Sequence, residues 1–166
     1  MFDIATFRRL FEFERWANGR QLESLETTSE VSGHALRVLG HIYASTDFWV
    51  ARLSEESSTL TGWEVRPLAD LRLLAAQVDR RLRALLSRLD DAALGADVRG
   101  RSSADEGPRP VTAGDVLLHI LLHSSQHRGQ LTDEIGRIGG KPAVTDYDDW
   151  WDVPADNPAE SGESPI

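Results

Sequence analysis

The amino-acid sequence predicts an all-α protein: a four-helix bundle with a long irregular loop between its third and fourth helices and an irregular acidic C-terminal tail. Three observations carry this. Four stretches repeat apolar residues at close to 3.6-residue spacing. Cap and breaker residues separate those stretches. The chain has 166 residues and no cysteine, which suits one domain whose core needs no covalent staple.

The first helix is predicted over residues 4 to about 25, on the stripe Ile4, Phe7, Leu10, Phe11, Ala17, Leu22 and Leu25. Thr27, Thr28 and Ser29 supply turn and cap chemistry. The second runs from about 32 to 53, with Leu36, Leu39, Ile42, Tyr43, Phe48, Trp49, Val50 and Leu53 among its apolar positions. Residues 54–63 are polar and include Gly62, which reads as a connection. Pro67 suits the first turn of a third helix, whose stripe extends from Leu68 to about Leu89. Residues 95–110 are rich in Gly, Pro, Ser and Asp and have no helical period; 96–98 and 110–111 are candidates for a short hairpin. Thr112 followed by Asp115 resembles a capping box. The fourth helix runs to about Ile138, where Gly139 and Gly140 end it and Pro142 prevents its resumption.

The bundle is therefore assigned to residues 1–142 and the tail to 143–166. The formal net charge is −9, and the last 26 residues carry −6 of it, Lys141 standing against seven acids. The end of the tail is disordered by composition. Three large aromatics such as Tyr147, Trp150 and Trp151 rarely stay fully solvated, so they are expected to pin the first part of the tail across the bundle, near the site or a dimer surface.

The acid excess argues against a nucleic-acid partner, which requires a basic footprint. No run reaches the ~20 apolar residues of a membrane span, and charges between Asp3 and Arg15 interrupt any secretory h-region. A cytoplasmic protein with no membrane partner is the expectation. Without cysteine there is no thiol nucleophile, cysteine-ligated zinc or ordinary iron–sulfur cluster. A metal must be held by His, Asp, Glu or water.

All five histidines fall on two predicted helices. His34 and His41 are seven apart on the second; His119, His123 and His127 are four apart on the fourth. A spacing of four places side chains on one face, one turn apart, so an i, i+4 pair can share one ion. His119 and His127 are separated by ~12 Å of axial rise and cannot. Spacing alone leaves His119/His123 or His123/His127 as the pair. Three imidazoles in register on an apolar face cost stability unless each is partnered. His34 and His119 taken singly read as structural or supporting residues.

His123 and the run His127-Arg128-Gly129-Gln130 form HxxxHRGQ. With His41 on the second helix and Arg15-Trp16-Ala17-Asn18 late in the first, the chain resembles the DinB/YfiT-like superfamily over about residues 1–152. The resemblance implies a four-helix bundle, commonly a homodimer, holding a divalent metal through three histidines. The matching positions here are His41, His123 and His127. Gln126 is a departure, since many members carry His immediately before HRGQ; the surroundings of the metal differ there.

Gln130, three residues after His127, is placed to orient a ligand or water. Mid-helix Gly129 suggests close approach of a helix or ligand, with simple tolerance as the alternative. Arg128 reads as an interhelical ion pair with anion binding as the alternative, Asp47 as a solvated residue, and Trp16 and Trp49 as core or pocket lining. Three neutral imidazoles leave an ion with an open position, the pattern of catalytic sites. No side chain is assigned as catalytic; the chemistry falls to metal-bound water or a thiolate. Zinc is the first choice, with nickel, iron or manganese as alternatives. The resemblance implies a metal-dependent S-transferase, which joins a low-molecular-weight thiol such as bacillithiol or mycothiol to an electrophile, or a hydrolase of a small-molecule substrate. The alternative is a non-enzymatic, metal-binding stress- or damage-response protein acting as a dimeric scaffold.

Overall fold

A computed structural model describes residues 2–60, 62–98 and 111–151. It contains α1 (Ile4–Glu26), α2 (Gly33–Leu53), α3 (Leu68–Arg88), the four-residue α4 (Asp91–Leu94), α5 (Ala113–Arg137) and the five-residue α6 (Tyr147–Trp151). The four long helices are those the apolar stripes predict. α4 and α6 are too short to show a period in sequence.

The helix ends follow side-chain chemistry. Asp3 caps α1 by accepting from the Thr6 N–H at 2.7 Å. Ser32 caps α2 through Ala35 N–H. Thr112 and Asp115 form a reciprocal capping box at the start of α5. α5 closes in a Schellman turn: Gly139 N–H donates to Gly136 O and Gly140 N–H to Ile135 O, with Gly139 at φ +80°. Pro67 is the residue before α3, which has no side-chain cap there.

The apolar residues divide into two clusters. One joins Phe7 and Phe11 of α1, Val50 and Leu53 of α2, Leu82, Leu85 and Leu86 of α3, and Val116, Leu117 and Ile120 of α5. The other joins Leu22 and Leu25, Ala35 to Tyr43, Leu71 to Val78, and Leu131 and Ile135. The early half of α1 and of α5 therefore shares a cluster with the late half of α2 and α3. α1 and α5 run one way and α2 and α3 the other. Because α2 and α3 are parallel, the connection between them must return the length of α2, about 30 Å for some twenty residues.

Between the clusters lies a polar waist. Glu14 and Asn18 of α1, Thr46 and Asp47 of α2, and Ser124, His127 and Arg128 of α5 are all buried there. Arg128 pairs with Glu14 at 2.5 Å, and the same nitrogen contacts Asn18 Oδ1. This is the interhelical ion pair expected for Arg128. Asp47 corrects the sequence expectation: it is 1% exposed, ion-paired with Arg81 of α3, and accepts from Ser58 Oγ at 2.6 Å. Six residues after His41 it does leave the His41 face, but α2 packs against both α3 and α5, so leaving that face leads inward.

After α3, α4 seats Leu94 in the first cluster. Val98 N–H reaches Val111 O at 2.8 Å, and Asp97 and Thr112 form one antiparallel bridge. This is a single point of pairing where a hairpin was a candidate; residues 99–110 lie outside the described residues. α6 places Tyr147 and Trp150 against Phe13 of α1, at 5.0 and 5.9 Å between ring centroids, with the Arg9 guanidinium 5.9 Å from each ring. Trp151 stays 56% exposed. Two of the three aromatics thus lie on α1, and a short helix stands inside the tail expected to be irregular. Among the described residues no helix is long and apolar enough to cross a membrane.

Candidate metal centre

α2 and α5 pack along each other at the waist and bring His41, His123 and His127 together. The His123 Nε2 lies 3.4 Å from His41 Nε2 and 3.2 Å from His127 Nε2. One nitrogen from each ring falls within 4.8 Å of the others. Of the pairs that spacing left open, His123/His127 is the one that meets His41.

The outer ring nitrogens fix the tautomers. His41 Nδ1 is 2.6 Å from Gly62 O, and His127 Nδ1 is 2.7 Å from Gln130 Oε1. Carbonyl and amide oxygens only accept, so each Nδ1 carries the proton and donates it outward. The two Nε2 lone pairs then face the centre. His123 has one Nε2–H at most, enough for one neighbour and not both. Three nitrogens with too few protons between them form a donor set that could hold a cation.

The spacing also fits. Two nitrogens bound at ~2.0–2.1 Å to a tetrahedral zinc stand about 3.3 Å apart, beside the observed 3.2 and 3.4 Å. Burial, followed by the neighbouring imidazoles, pushes His123 down to about 4. Burial likewise lowers His41, against the Gly62 carbonyl, which favours its protonated form. Imidazoles held neutral are the form that ligates.

The other expected residues take varied places. Gln130 is the acceptor for His127. His119 is exposed; its ring stands 5.4 Å from that of His123 and 5.0 Å from Trp49, beside the triad but outside it. Trp49 is half-buried and meets the His119 ring. Trp16 lies against Phe13 and lines a different feature, a cleft of about 680 Å³ between α1 and α3. Gln126 and His34 are exposed. Gly129 has nothing within 4 Å of a built Cβ, so the tolerance reading applies.

Two contributors escape periodicity. The Gly62 carbonyl holds His41, and the Trp63 indole stacks on the same imidazole at 3.7 Å and 9° between planes. Both sit in the α2–α3 connection. The available signal was a large aromatic following glycine in a polar loop.

Fold and site together define a helical bundle with a histidine-only candidate site for a divalent metal. The chain belongs to the DinB superfamily: that family's model matches residues 26–131, a span holding all three histidines. It is similar to protein DinB of Bacillus subtilis (strain 168), at 23% identity over 159 residues, covering 84% of this chain and 90% of that protein. No solved structure matches the chain at a significant level.

Proposed function

We propose that the chain is a metal-dependent enzyme that holds a divalent ion, zinc first among the candidates, through His41, His123 and His127. In this reading it either transfers a low-molecular-weight thiol, such as bacillithiol or mycothiol, to an electrophile or hydrolyses its substrate. The observation that carries the reading is the convergence of three Nε2 atoms while two of the outer Nδ1 atoms are committed to oxygen acceptors. Three protein ligands leave a coordination position free, as catalytic sites do and closed structural sites do not. An ion bound there supplies Lewis acidity that activates water or a thiol. The chain's own residues bind and orient: three imidazoles ligate, while Gln130 and the Gly62 carbonyl fix ring rotation. The chain has no cysteine, so a reacting sulfur must belong to a cofactor.

The test is elemental analysis of protein purified without a histidine tag. One divalent ion per chain is expected, retained in His119→Ala and lost from His123→Ala with helicity intact. Unchanged metal content in His123→Ala would sink the assignment. Conjugation of bacillithiol or mycothiol to monochlorobimane by the loaded protein supports the transferase branch. Turnover of activated esters in its place supports the hydrolase. Bound metal with neither activity favours the non-enzymatic scaffold.

A further inference from the structure

The α2–α3 connection passes directly over His41 as it returns along α2. Ser58 meets Asp47, Gly62 O meets His41, and Glu64 O approaches Gly40, where a Cβ would stand 3.4 Å from it. Successive loop residues therefore step back along α2 toward its start. Leu60 packs on the second apolar cluster on the way. Trp63 follows, and it remains 52% exposed. Burial explains little of its placement, because half the indole faces water. What it does touch is the metal-site imidazoles: it lies flat on His41 and meets the His127 ring edge-on, at 5.6 Å and 79°.

We propose that Trp63 is a positioning residue for the metal centre, clamping the His41 imidazole between a stacked indole and the Gly62 carbonyl so that the crossover loop and the bound ion stabilise each other. This rests on the metal reading given above. His41 is the lone ligand contributed by α2; the other two share α5 and are set by one helical turn. Its free rotation about χ2 would blunt the site, and the two loop contacts remove that rotation. The hydrogen bond fixes the proton on Nδ1 and raises the basicity of Nε2. Withdrawal of electron density by an ion at Nε2 makes the imidazole more cationic. The indole face attracts such a ring more strongly than a neutral one. By linkage, an ion that strengthens the loop contacts is itself held more tightly by them.

The experiment measures zinc affinity by competition with a chromophoric chelator, and the cobalt(II) absorption spectrum, in full-length wild type, Trp63→Ala, Trp63→Phe and Trp63→Leu. Loss of an outer contact to a ligand typically weakens metal binding 10–100-fold. A rise of about 10-fold or more in the zinc dissociation constant is expected for Trp63→Ala, with a shifted cobalt spectrum. Trp63→Phe keeps a stacking face and should recover most of the affinity, whereas Trp63→Leu should not. The metal-free melting temperature should stay near wild type throughout, because the side chain is half-exposed. Wild-type affinity in Trp63→Ala, or full recovery by Trp63→Leu, overturns the clamp while leaving the metal site standing. A wild-type protein that binds neither zinc nor cobalt overturns the metal reading, and the clamp with it.

Discussion

Gln130 accepts a hydrogen bond from His127 Nδ1 at 2.7 Å across a single helical turn, so one α5 residue sets the tautomer of another. Replacing Gln130 with Ala should weaken zinc binding by about 10-fold through loss of this orientation. Gln130→Glu, which retains an acceptor, should bind at least as tightly as wild type. Since Gln130 is exposed, the metal-free proteins should melt alike. Equal zinc affinity in Gln130→Ala would show that the hydrogen bond is incidental.

The Glu14–Arg128 pair is buried on both sides. Removing one partner of such a pair strands a charge and costs about 3–5 kcal/mol. Glu14→Leu is expected to lose that much in urea unfolding. The double variant Glu14→Leu/Arg128→Met should recover most of it, since an apolar replacement of both partners is often neutral or stabilising. Additive losses in the double variant would contradict the pairing.

Glu134 provides a pH-dependent contribution. Two hydrogen bonds from Arg137 and one from Ser32 hold its carboxyl down to about 2, against an ordinary 4.5. The folded state therefore binds this proton less readily than the unfolded chain. The stabilisation is complete above pH 4.5 and is lost as pH falls from there towards 2. Glu134→Gln should remove this part of the acid sensitivity while lowering stability at pH 7. Superimposable stability–pH profiles of variant and wild type between pH 5 and 2.5 would refute the assignment.

Two glycines predict opposite outcomes. A Cβ on Gly140 would collide with Thr28 Oγ1 and stand 2.9 Å from Ile135 Cγ2. Gly140→Ala should therefore destabilise, by about 1–3 kcal/mol for an overpacked site. Gly129 is mid-helix with open space around it, so Gly129→Ala should stabilise by up to about 1 kcal/mol through helix propensity. Chemical denaturation of both variants checks the signs.

The long helices were legible because each buries a face long enough to show a period. The α5 histidines were legible because a spacing of four is itself a geometric statement. That His41 meets them is a tertiary fact, and only the family resemblance supplied it. The direction of α3 had no local signature: a connection of 14 residues suits either a hairpin or a crossover. For that reason Gly62 and Trp63 carry no sequence signal beyond that of a polar connection. The burial of Asp47 is not legible locally, because a residue that faces away from one helix need not face water when α2 has neighbours on more than one side.

The waist between the two apolar clusters has a consequence for folding itself. A cation held there by the three histidines would bind only the assembled state, so mass action would add RT ln(1 + [ion]/Kd) to its stability, about 2.7 kcal/mol at a hundredfold excess over Kd. With Glu14, Asp47 and Arg128 occupying places that aliphatic side chains could fill, the interior gives up cohesion of its own at that level. How much of the chain stands folded, and how long it survives proteolysis, would then track the supply of free metal around it.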